Sequence, residues 1–245
     1  SGVAVCSMPA YNLRAMYEAR LQQNLPEIQA RIERARERAD GRPVTLVAVT
    51  KGHPPAAARA AFAAGLRICG ENRVQELEEK RDALADLDVQ WHLIGHLQRN
   101  KVRRALSLFD LLHSLDSLRL AKVVSAEAVR AERTVDVLVQ VNASGEETKG
   151  GFDVANGTGP VAEICALPGL RVLGLMTMAP FTDDEVVVRR TFQRTRALFD
   201  ECAREVEGFR AEHLSMGMSN DFEWAVEEGA TMVRLGTVLF GERER

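Results

Sequence analysis

The chain has 245 residues, of which 46% are hydrophobic and 27% are charged, and its formal net charge is −3. A chain of this length can form one large domain or two small ones, with ample apolar side chains for a core. Because the charges are mixed, the composition argues against a polyanion-binding face, and we expect no nucleic-acid partner. No apolar run approaches the ~20 residues of a membrane span and no signal-peptide pattern opens the sequence, so we expect a cytoplasmic protein without a membrane anchor.

Four cysteines, Cys6, Cys69, Cys165 and Cys202, lie far apart and form no CxxC pair. This spacing is typical of reduced, mostly buried thiols in a cytosolic protein. It argues against a disulfide framework or a zinc site.

Residues 10–40 are predicted to form one long helix, which the segment "DGRP" ends. Apolar residues recur there at helical spacing amid arginine and glutamate. They are Leu13, Met16, Leu21, Leu25, Ile28 and Ile32.

Beyond this helix, short β-rich runs alternate with runs rich in alanine, arginine and glutamate. The predicted strands are 44–50, 67–69, 89–94, 111–115, 135–141, 171–177, 213–216 and 232–235. The predicted helices lie near 54–64, 72–84, 97–106, 117–131, 153–166, 184–207 and 220–228. Strands that alternate with helices in this way pair in parallel.

Eight such units in about 200–250 residues fit a (β/α)8 TIM barrel. An open doubly wound sheet is the alternative, but no GxGxxG follows the first strand, which weakens a dinucleotide-binding fold. No linker rich in proline or serine divides the chain. We therefore predict an α/β protein with a single domain, 1–245, in which an extra N-terminal helix over 10–40 precedes a barrel over 44–241.

Polar residues and glycines accumulate at one end of every predicted strand, where such a barrel carries its site. A scaffold without a ligand would not require this pattern. The residues concerned are Lys51; Gly70, Glu71, Asn72 and Gln75; His92, Gly95, His96 and Gln98; His113, Ser114 and Asp116; Asn142 and the loop "ASGEETKGGF"; Met176, Thr177 and Met178; "MGMSND"; and Arg234, Gly236 and Thr237.

The strongest local signal is a candidate phosphate site at the last two strands. Ser219 is predicted to cap a helix, and Gly236 and Thr237 directly follow the final strand. A helix N-terminus offers unpaired N–H groups, and Gly236 would let the backbone approach a ligand closely. An ordinary cap and an ordinary turn are the alternatives, but the two positions together favour phosphate.

Lys51 ends a strand that is otherwise apolar. A lysine that is partly desolvated at a barrel mouth can have a lowered pKa, and its neutral amine can form an imine with a carbonyl. A salt bridge, for example with Glu71, is the alternative. An imine lysine beside a phosphate site suggests either a Schiff-base aldolase or pyridoxal 5′-phosphate (PLP), an aldehyde that carries its own phosphate.

Arg234 lies two residues before Gly236, so both face the same side of the strand. An arginine there could face the PLP ring nitrogen, and because it only donates hydrogen bonds, it would keep that nitrogen unprotonated. An ion pair with a carboxylate in the barrel is the alternative.

Three histidines, His92, His96 and His113, raise the question of a metal site. Their spacing matches no zinc motif. We expect hydrogen-bonding roles at the rim of the barrel and no metal.

Seven segments together resemble the pyridoxal phosphate homeostasis protein family. They run in order from about residue 44 to residue 241, nearly the whole chain. They are "VAVTKGHP", "GENRVQE", "WHLIGHLQRNK", "HSLDS", "VNASGEETKGGF", "GLMTMAP" and "LSMGMSNDFEWAVEEGATMVRLGTVLFG". The resemblance implies the barrel of the alanine racemase N-terminal type without the second domain of the racemases. The departures are the wording at residues 52–53 and the first dozen residues, which match nothing usable.

The resemblance also implies a role for each candidate residue. Lys51 would hold PLP as an imine, and Arg234 would lie by the pyridine nitrogen. Asn72 would lie beside the cofactor and Met218 would border the phosphate. Ser219, Gly236 and Thr237 would hold that phosphate.

The implied function is intracellular PLP homeostasis without established catalytic turnover, with PLP-dependent apo-enzymes as candidate partners. A PLP-dependent racemase-like enzyme and a lysine Schiff-base aldolase are the alternatives. Two-base racemisation needs an acid–base group on each face of the substrate carbon. In the racemases a tyrosine of the second domain is one of them, whereas the only tyrosines here, Tyr11 and Tyr17, lie in the N-terminal region. A rim histidine could substitute, but we expect a monomeric carrier.

Overall fold

Runs rich in valine and leucine form the parallel strands of the protein. Such side chains suit strands that are buried on both faces. The structure, a computed structural model, describes residues 10–146 and 150–242. In chain order the strands are β1 (Thr45–Val49), β2 (Ile68–Glu71), β3 (Gln90–Leu93), β4 (Leu111–Leu115), β5 (Val135–Asn142), β6 (Phe152–Asp153), β7 (Leu170–Met176), β8 (His213–Ser215) and β9 (Met232–Leu235).

Eight of these strands close into a ring. β1 pairs with β2 on one side and with β9 on the other, and β4 pairs with β5 to complete the circle. The two-residue strand β6 pairs with β5 and lies outside the ring. The predicted (β/α)8 TIM barrel is therefore confirmed.

Helices fill the segments between the barrel strands and surround the barrel. They are α1 (Ala10–Glu37), α2 (Pro55–Ala63), α3 (Val74–Ala83), α4 (Val102–Ala105), α5 (Leu118–Arg130), α6 (Gly159–Cys165), α7 (Glu185–Glu205), α8 (Phe222–Glu227) and α9 (Thr237–Phe240). Single 3-10 turns precede α4 and α6, at Arg99–Lys101 and Val154–Asn156.

Two helical segments differ from the sequence expectation. The helix predicted over 153–166 begins only at Gly159, because Gly157 takes a positive φ of 62° that breaks the helix. The segment before it forms β6 and a 3-10 turn. The four-residue helix α9 was not predicted, since one turn is too short to show a periodicity.

The extra N-terminal helix α1 packs on α2, α8 and α9. Its buried residues include Tyr17, Leu21, Leu25, Ile28 and Ile32, which repeat at helical spacing. Two of its polar side chains bind the end of α9: Arg20 Nη1 donates to Phe240 O (2.8 Å) and Asn24 Nδ2 donates to Leu239 O (3.2 Å). The helix thereby ties α9 to the barrel.

Three cysteines lie in the described part of the chain, and Cys6 lies outside it. Burial raises the pKa of the Cys69 and Cys202 thiols to about 12 and that of Cys165 to about 11. These thiols are therefore protonated and unreactive at neutral pH.

Among the described helices, none combines the length and apolar character needed to cross a bilayer.

Candidate functional site

A cavity of about 750 Å³ opens at the carboxyl ends of the barrel strands. All seven residues that the sequence singled out for PLP line it: Lys51, Asn72, Met218, Ser219, Arg234, Gly236 and Thr237. They follow or end β1, β2, β8 and β9, whose carboxyl ends meet at one rim. The structure therefore brings the whole predicted set together, and the role of each residue stays a prediction.

Lys51 follows β1 and is half-buried at the cavity wall. Alternate residues of a strand face the same side, so Val47, Val49 and Lys51 share the inward face. Val47 pairs in register with Arg234, which also lines the cavity. Lys51 can therefore follow a strand that is buried on both faces, because its inward-facing position lies at the mouth of the barrel and not in the core.

A buried ion pair lies behind Lys51, on the helix side of the barrel. Lys80 of α3 donates from Nζ to Glu71 Oε1 (2.5 Å) and to the carbonyl of Thr50 (2.7 Å), and Thr50 Oγ1 also donates to Glu71 Oε1 (2.5 Å). Burial raises the pKa of Glu71, against the attraction of Lys80. Because Thr50 directly precedes Lys51, this pair fixes the backbone from which the lysine projects.

The loop after β8 carries Met218 and Ser219, but Ser219 is not the cap of a helix. The helix α8 begins at Phe222 with Asp221 in the cap position. Asp221 Oδ1 accepts a hydrogen bond from the backbone N–H of Met218 (2.6 Å), and this closes a turn that contains Ser219. The prediction of Ser219 as the N-cap was therefore wrong, because residues 218–221 form a turn, in which the Asp221 N–H also donates to the Met218 carbonyl (3.1 Å), and the helix begins only after it. Ser219 still lines the cavity.

The helix α9 also begins at the cavity, with Gly236 in the cap position. A Cβ at Gly236 would lie 3.1 Å from Val49 O, so a side chain there would crowd the strand that leads to Lys51. Thr237 opens the helix and its side chain is exposed to the cavity. A short extra helix after the last strand is the usual phosphate-binding element of this barrel.

Arg234 is buried inside the barrel, with 4% of its surface exposed. It donates from Nη1 to Ser215 Oγ (2.6 Å) and from Nη2 to the carbonyl of Thr177 (2.9 Å). Burial lowers the pKa of its guanidinium to about 10, which leaves it charged at neutral pH. The recorded hydrogen-bond partners of Arg234 are thus a hydroxyl and a carbonyl, whereas the Asp221 carboxylate acts on it through charge and raises the pKa of the guanidinium against the effect of burial.

A hydrogen-bonded chain continues from Arg234 across the barrel interior. Ser215 Oγ lies 3.0 Å from His113 Nδ1, and His113 Nε2 lies 2.9 Å from His92 Nδ1. Burial lowers the pKa of His92 to about 3 and that of His113 well below its ordinary value. Two neutral imidazoles suit such a chain, since each has one donor and one acceptor.

These contacts answer the question of the histidines. His92 and His113 serve the barrel interior and not the rim, which corrects the expectation for those two. His96 lies at the rim, where its Nδ1 contacts Asp116 Oδ2 (2.7 Å). In the ranges that the structure describes, no group of three histidine, cysteine or acidic side chains could hold a metal ion.

The buried histidines predict a loss of stability in acid. Above pH 6.5 both are neutral in the folded and the unfolded chain; below it only the unfolded chain binds the protons. The free energy of unfolding should therefore fall by up to about 1.4 kcal/mol per pH unit for each histidine, down to the lowered pKa. Urea unfolding at pH 7, 6 and 5 measures this slope. His92→Gln should reduce this slope by up to the contribution of one histidine, about 1.4 kcal/mol per pH unit. An unchanged slope would contradict the burial of a neutral His92 ring.

One contact at the site had no signal in the sequence. His53 lines the cavity and is buried against α1, where the Tyr17 hydroxyl lies 3.0 Å from its Nδ1. Tyr17 also meets Phe240 of α9 edge-on. The N-terminal helix therefore supports the same end of the cavity as α9, a contact that the sequence around residues 52–53 does not predict.

Comparison with known proteins places this geometry in a family. The model of the alanine racemase N-terminal domain matches residues 23–244. The pyridoxal phosphate homeostasis protein of Aquifex aeolicus is 45% identical over 91% of this chain and 98% of its own length. That of Pseudomonas aeruginosa is 40% identical over 91% of this chain and 95% of its own. The chain belongs to the pyridoxal phosphate homeostasis protein family.

Solved structures agree with this family and with the barrel. PipY of Synechococcus elongatus, solved with PLP bound, is 41% identical over 81% of this chain and 92% of its own, with a TM-score of 0.75. PipY without PLP covers 90% of this chain at 37% identity, with a TM-score of 0.81. An alanine racemase of Clostridium difficile is 15% identical with a TM-score of 0.77 and matches over 60% of its own length, which shows the shared fold.

Proposed function

We propose that this family member binds PLP, holds it as an imine on Lys51 and takes part in intracellular PLP homeostasis as a carrier without catalytic turnover. One observation carries the proposal: a single cavity is lined by the amine of Lys51, the buried guanidinium of Arg234, the N-terminus of α9 and the hydroxyl groups of Ser219 and Thr237. PLP supplies an aldehyde, a pyridine nitrogen and a phosphate, one for each of these groups. The names of the relatives and the PLP-bound PipY structure support the same ligand.

Each residue has a distinct task in this proposal. Lys51 forms the covalent link through its neutral amine. Arg234, fixed by Ser215 and the Thr177 carbonyl, donates to the ring nitrogen and keeps it unprotonated. Ser219, Thr237 and the N–H groups that open α9 bind the phosphate.

Two neighbours shape the space around these groups. Asn72 and Met218 line the cavity beside them. A side chain at position 236 would crowd Val49 O, so the glycine keeps the approach to the phosphate end open. We therefore assign Asn72, Met218 and Gly236 to the fit of PLP and not to its chemistry.

The same residues are expected to prevent catalytic turnover. In the described lining of the cavity Lys51 has no tyrosine to serve as its partner base, since the Tyr17 hydroxyl contacts His53. Arg234 only donates a hydrogen bond to the ring nitrogen and does not give up its proton readily, so the nitrogen stays unprotonated. An unprotonated ring withdraws electrons less strongly and therefore stabilises a carbanion less well. We propose that the protein acts in the cytoplasm as a monomer and gives PLP to apo-enzymes.

The test of this function is incubation of the PLP-loaded protein with a panel of L- and D-amino acids. We expect spectral change or release of PLP, but no sustained racemisation, transamination or decarboxylation by chiral chromatography and by α-proton exchange in D2O. Conversion at or above ~1 s⁻¹, the low end of ordinary enzyme rates, that disappears in Lys51→Ala would establish the racemase-like alternative.

Transfer is tested separately. An apo-enzyme should regain activity when it is mixed with the PLP-loaded protein. If transfer is direct, part of this activity should still be regained in the presence of a trap that removes free PLP. Complete suppression by the trap would mean that the PLP passes through solution.

A further inference from the structure

His96 and Asp116 form a pair at the mouth of the Lys51 cavity. They follow the neighbouring strands β3 and β4, and His96 Nδ1 lies 2.7 Å from Asp116 Oδ2. Both line the cavity, and neither belongs to the set proposed to bind PLP. The pair therefore has no task in the function proposed above.

The backbone that carries His96 is fixed, although 67% of the histidine side chain is exposed. A Cβ at the preceding Gly95 would lie 2.4 Å from the carbonyl oxygen of Asn72 and 2.6 Å from its Cα, so only glycine permits this close approach. Ser114 Oγ also donates to the Gly95 carbonyl (2.6 Å). The loop thus holds the histidine in place against the cavity wall.

Asp116 is held on both of its oxygens. Ser117 Oγ donates to Oδ1 (3.1 Å), and His96 Nδ1 donates to Oδ2. Only 13% of the Asp116 side chain is exposed. Because a carboxylate only accepts hydrogen bonds, the neutral imidazole carries its hydrogen on Nδ1 and presents a lone pair at Nε2. No bond of Nε2 is recorded to any residue that the structure describes.

A second cavity, of about 690 Å³, meets the first at this pair. Its walls include Arg99 and Arg119, together with the amides of Gln98 and Asn100. A small molecule that carries both an amine and a carboxylate could place the carboxylate toward these cations and the amine toward His96. The chemistry of the two cavities thus suits a free amino acid.

We propose that His96, oriented by Asp116, is the general acid–base for amino acids that displace Lys51 from PLP. This rests on the proposed function, because the exchange needs the imine on Lys51. His96 Nε2 takes one proton from the ammonium group of the amino acid, and the freed amine adds to the carbon of the protonated imine. His96 passes this proton, and then a second one from the amino-acid nitrogen, to Lys51 Nζ. The bond from the carbon to Nζ breaks as the amino-acid nitrogen forms its double bond to that carbon, and Lys51 leaves as an ammonium group. The two protons lost by the amino-acid nitrogen are the two that Nζ gains, so protons and charge balance, and nothing is oxidised or reduced.

A group that only transfers protons changes rates and leaves equilibria unchanged. We therefore expect His96→Gln, which keeps a hydrogen-bond donor for Asp116 but is no base, to slow the displacement of Lys51 from PLP by an amino acid. It should slow the reverse reaction, in which Lys51 takes PLP back from the amino acid, by the same factor, on the order of 10²-fold. The equilibrium PLP affinity and the amino-acid concentration at half-maximal rate should stay the same.

The experiment is stopped-flow absorbance in both directions, with L-alanine as the amino acid and equilibrium dialysis for the affinity. His213→Gln is the control, because it removes a histidine that lies on β8 outside the described cavity lining, and it should behave like the wild type. Asp116→Asn, which removes the orienting charge, should also slow both directions. Added imidazole should restore the rate of His96→Ala but not that of Asp116→Asn.

The outcomes separate the two proposals. Equal rates in His96→Gln and the wild type, or slower rates that follow a weaker PLP affinity without imidazole rescue, would overturn the role of His96 and leave the carrier function standing. A wild-type protein that forms no imine would overturn both. A His96→Gln variant with a lower thermal midpoint is replaced by His96→Asn, to which the same expectations apply.

Discussion

Lys51→Ala is expected to abolish the imine absorbance of the PLP-loaded protein. Lys51 is the only lysine in the described lining of the cavity. Lys80 is buried in its pair with Glu71, and Lys101 lies in the 3-10 turn before α4. Lys149 lies outside the described residues. The variant should retain weak, non-covalent binding, since the phosphate end is intact.

The matched control is Lys101→Ala, which removes a lysine outside the described cavity lining and should leave the spectrum unchanged. Both variants are titrated with PLP and read by absorbance and by equilibrium dialysis. An imine band of wild-type intensity in Lys51→Ala would mean that another amine forms the link.

The double variant Ser219→Ala/Thr237→Val is expected to lose most of the PLP affinity and to retain the imine at saturating PLP. Each hydroxyl would donate to a charged phosphate, a hydrogen bond worth roughly 1.5–3 kcal/mol. If the two losses add, the dissociation constant rises on the order of 10²- to 10⁴-fold. Equilibrium dialysis measures the change.

Pyridoxal provides the control ligand, because it has the aldehyde and the ring but no phosphate. Its affinity should be the same in the double variant and the wild type. A double variant that binds PLP as tightly as the wild type would show that the phosphate lies elsewhere. An equal loss for pyridoxal would show that the substitutions disturb the cavity as a whole.

The barrel could be predicted because its strands and helices differ sharply in composition. Runs such as Thr45–Val49 and Val135–Asn142 are rich in β-branched residues, whereas segments such as Leu118–Arg130 have one apolar face. The elements that escaped prediction are set by single glycines or are one turn long. Gly157 delays α6, and α9 has only four residues.

The cavity lining could be predicted because parallel strands present their carboxyl ends at one rim, so residues distant in sequence converge there. The supporting contacts could not, since they depend on which face of a strand or helix a side chain takes. Lys80 reaches Glu71 from a neighbouring helix, and Arg234 reaches His113 through Ser215. Asp221 takes the cap position in place of Ser219, after a turn in which its carboxylate accepts a hydrogen bond from the Met218 N–H.

The claim on which the function depends is the covalent link at Lys51. Borohydride reduction of the PLP-loaded wild-type protein, followed by proteolysis and mass spectrometry, identifies the linked residue. We expect one phosphopyridoxyl group per chain, on the peptide that contains Lys51. The group on another lysine, or its absence from every peptide of a protein saturated with PLP, would contradict the proposed site.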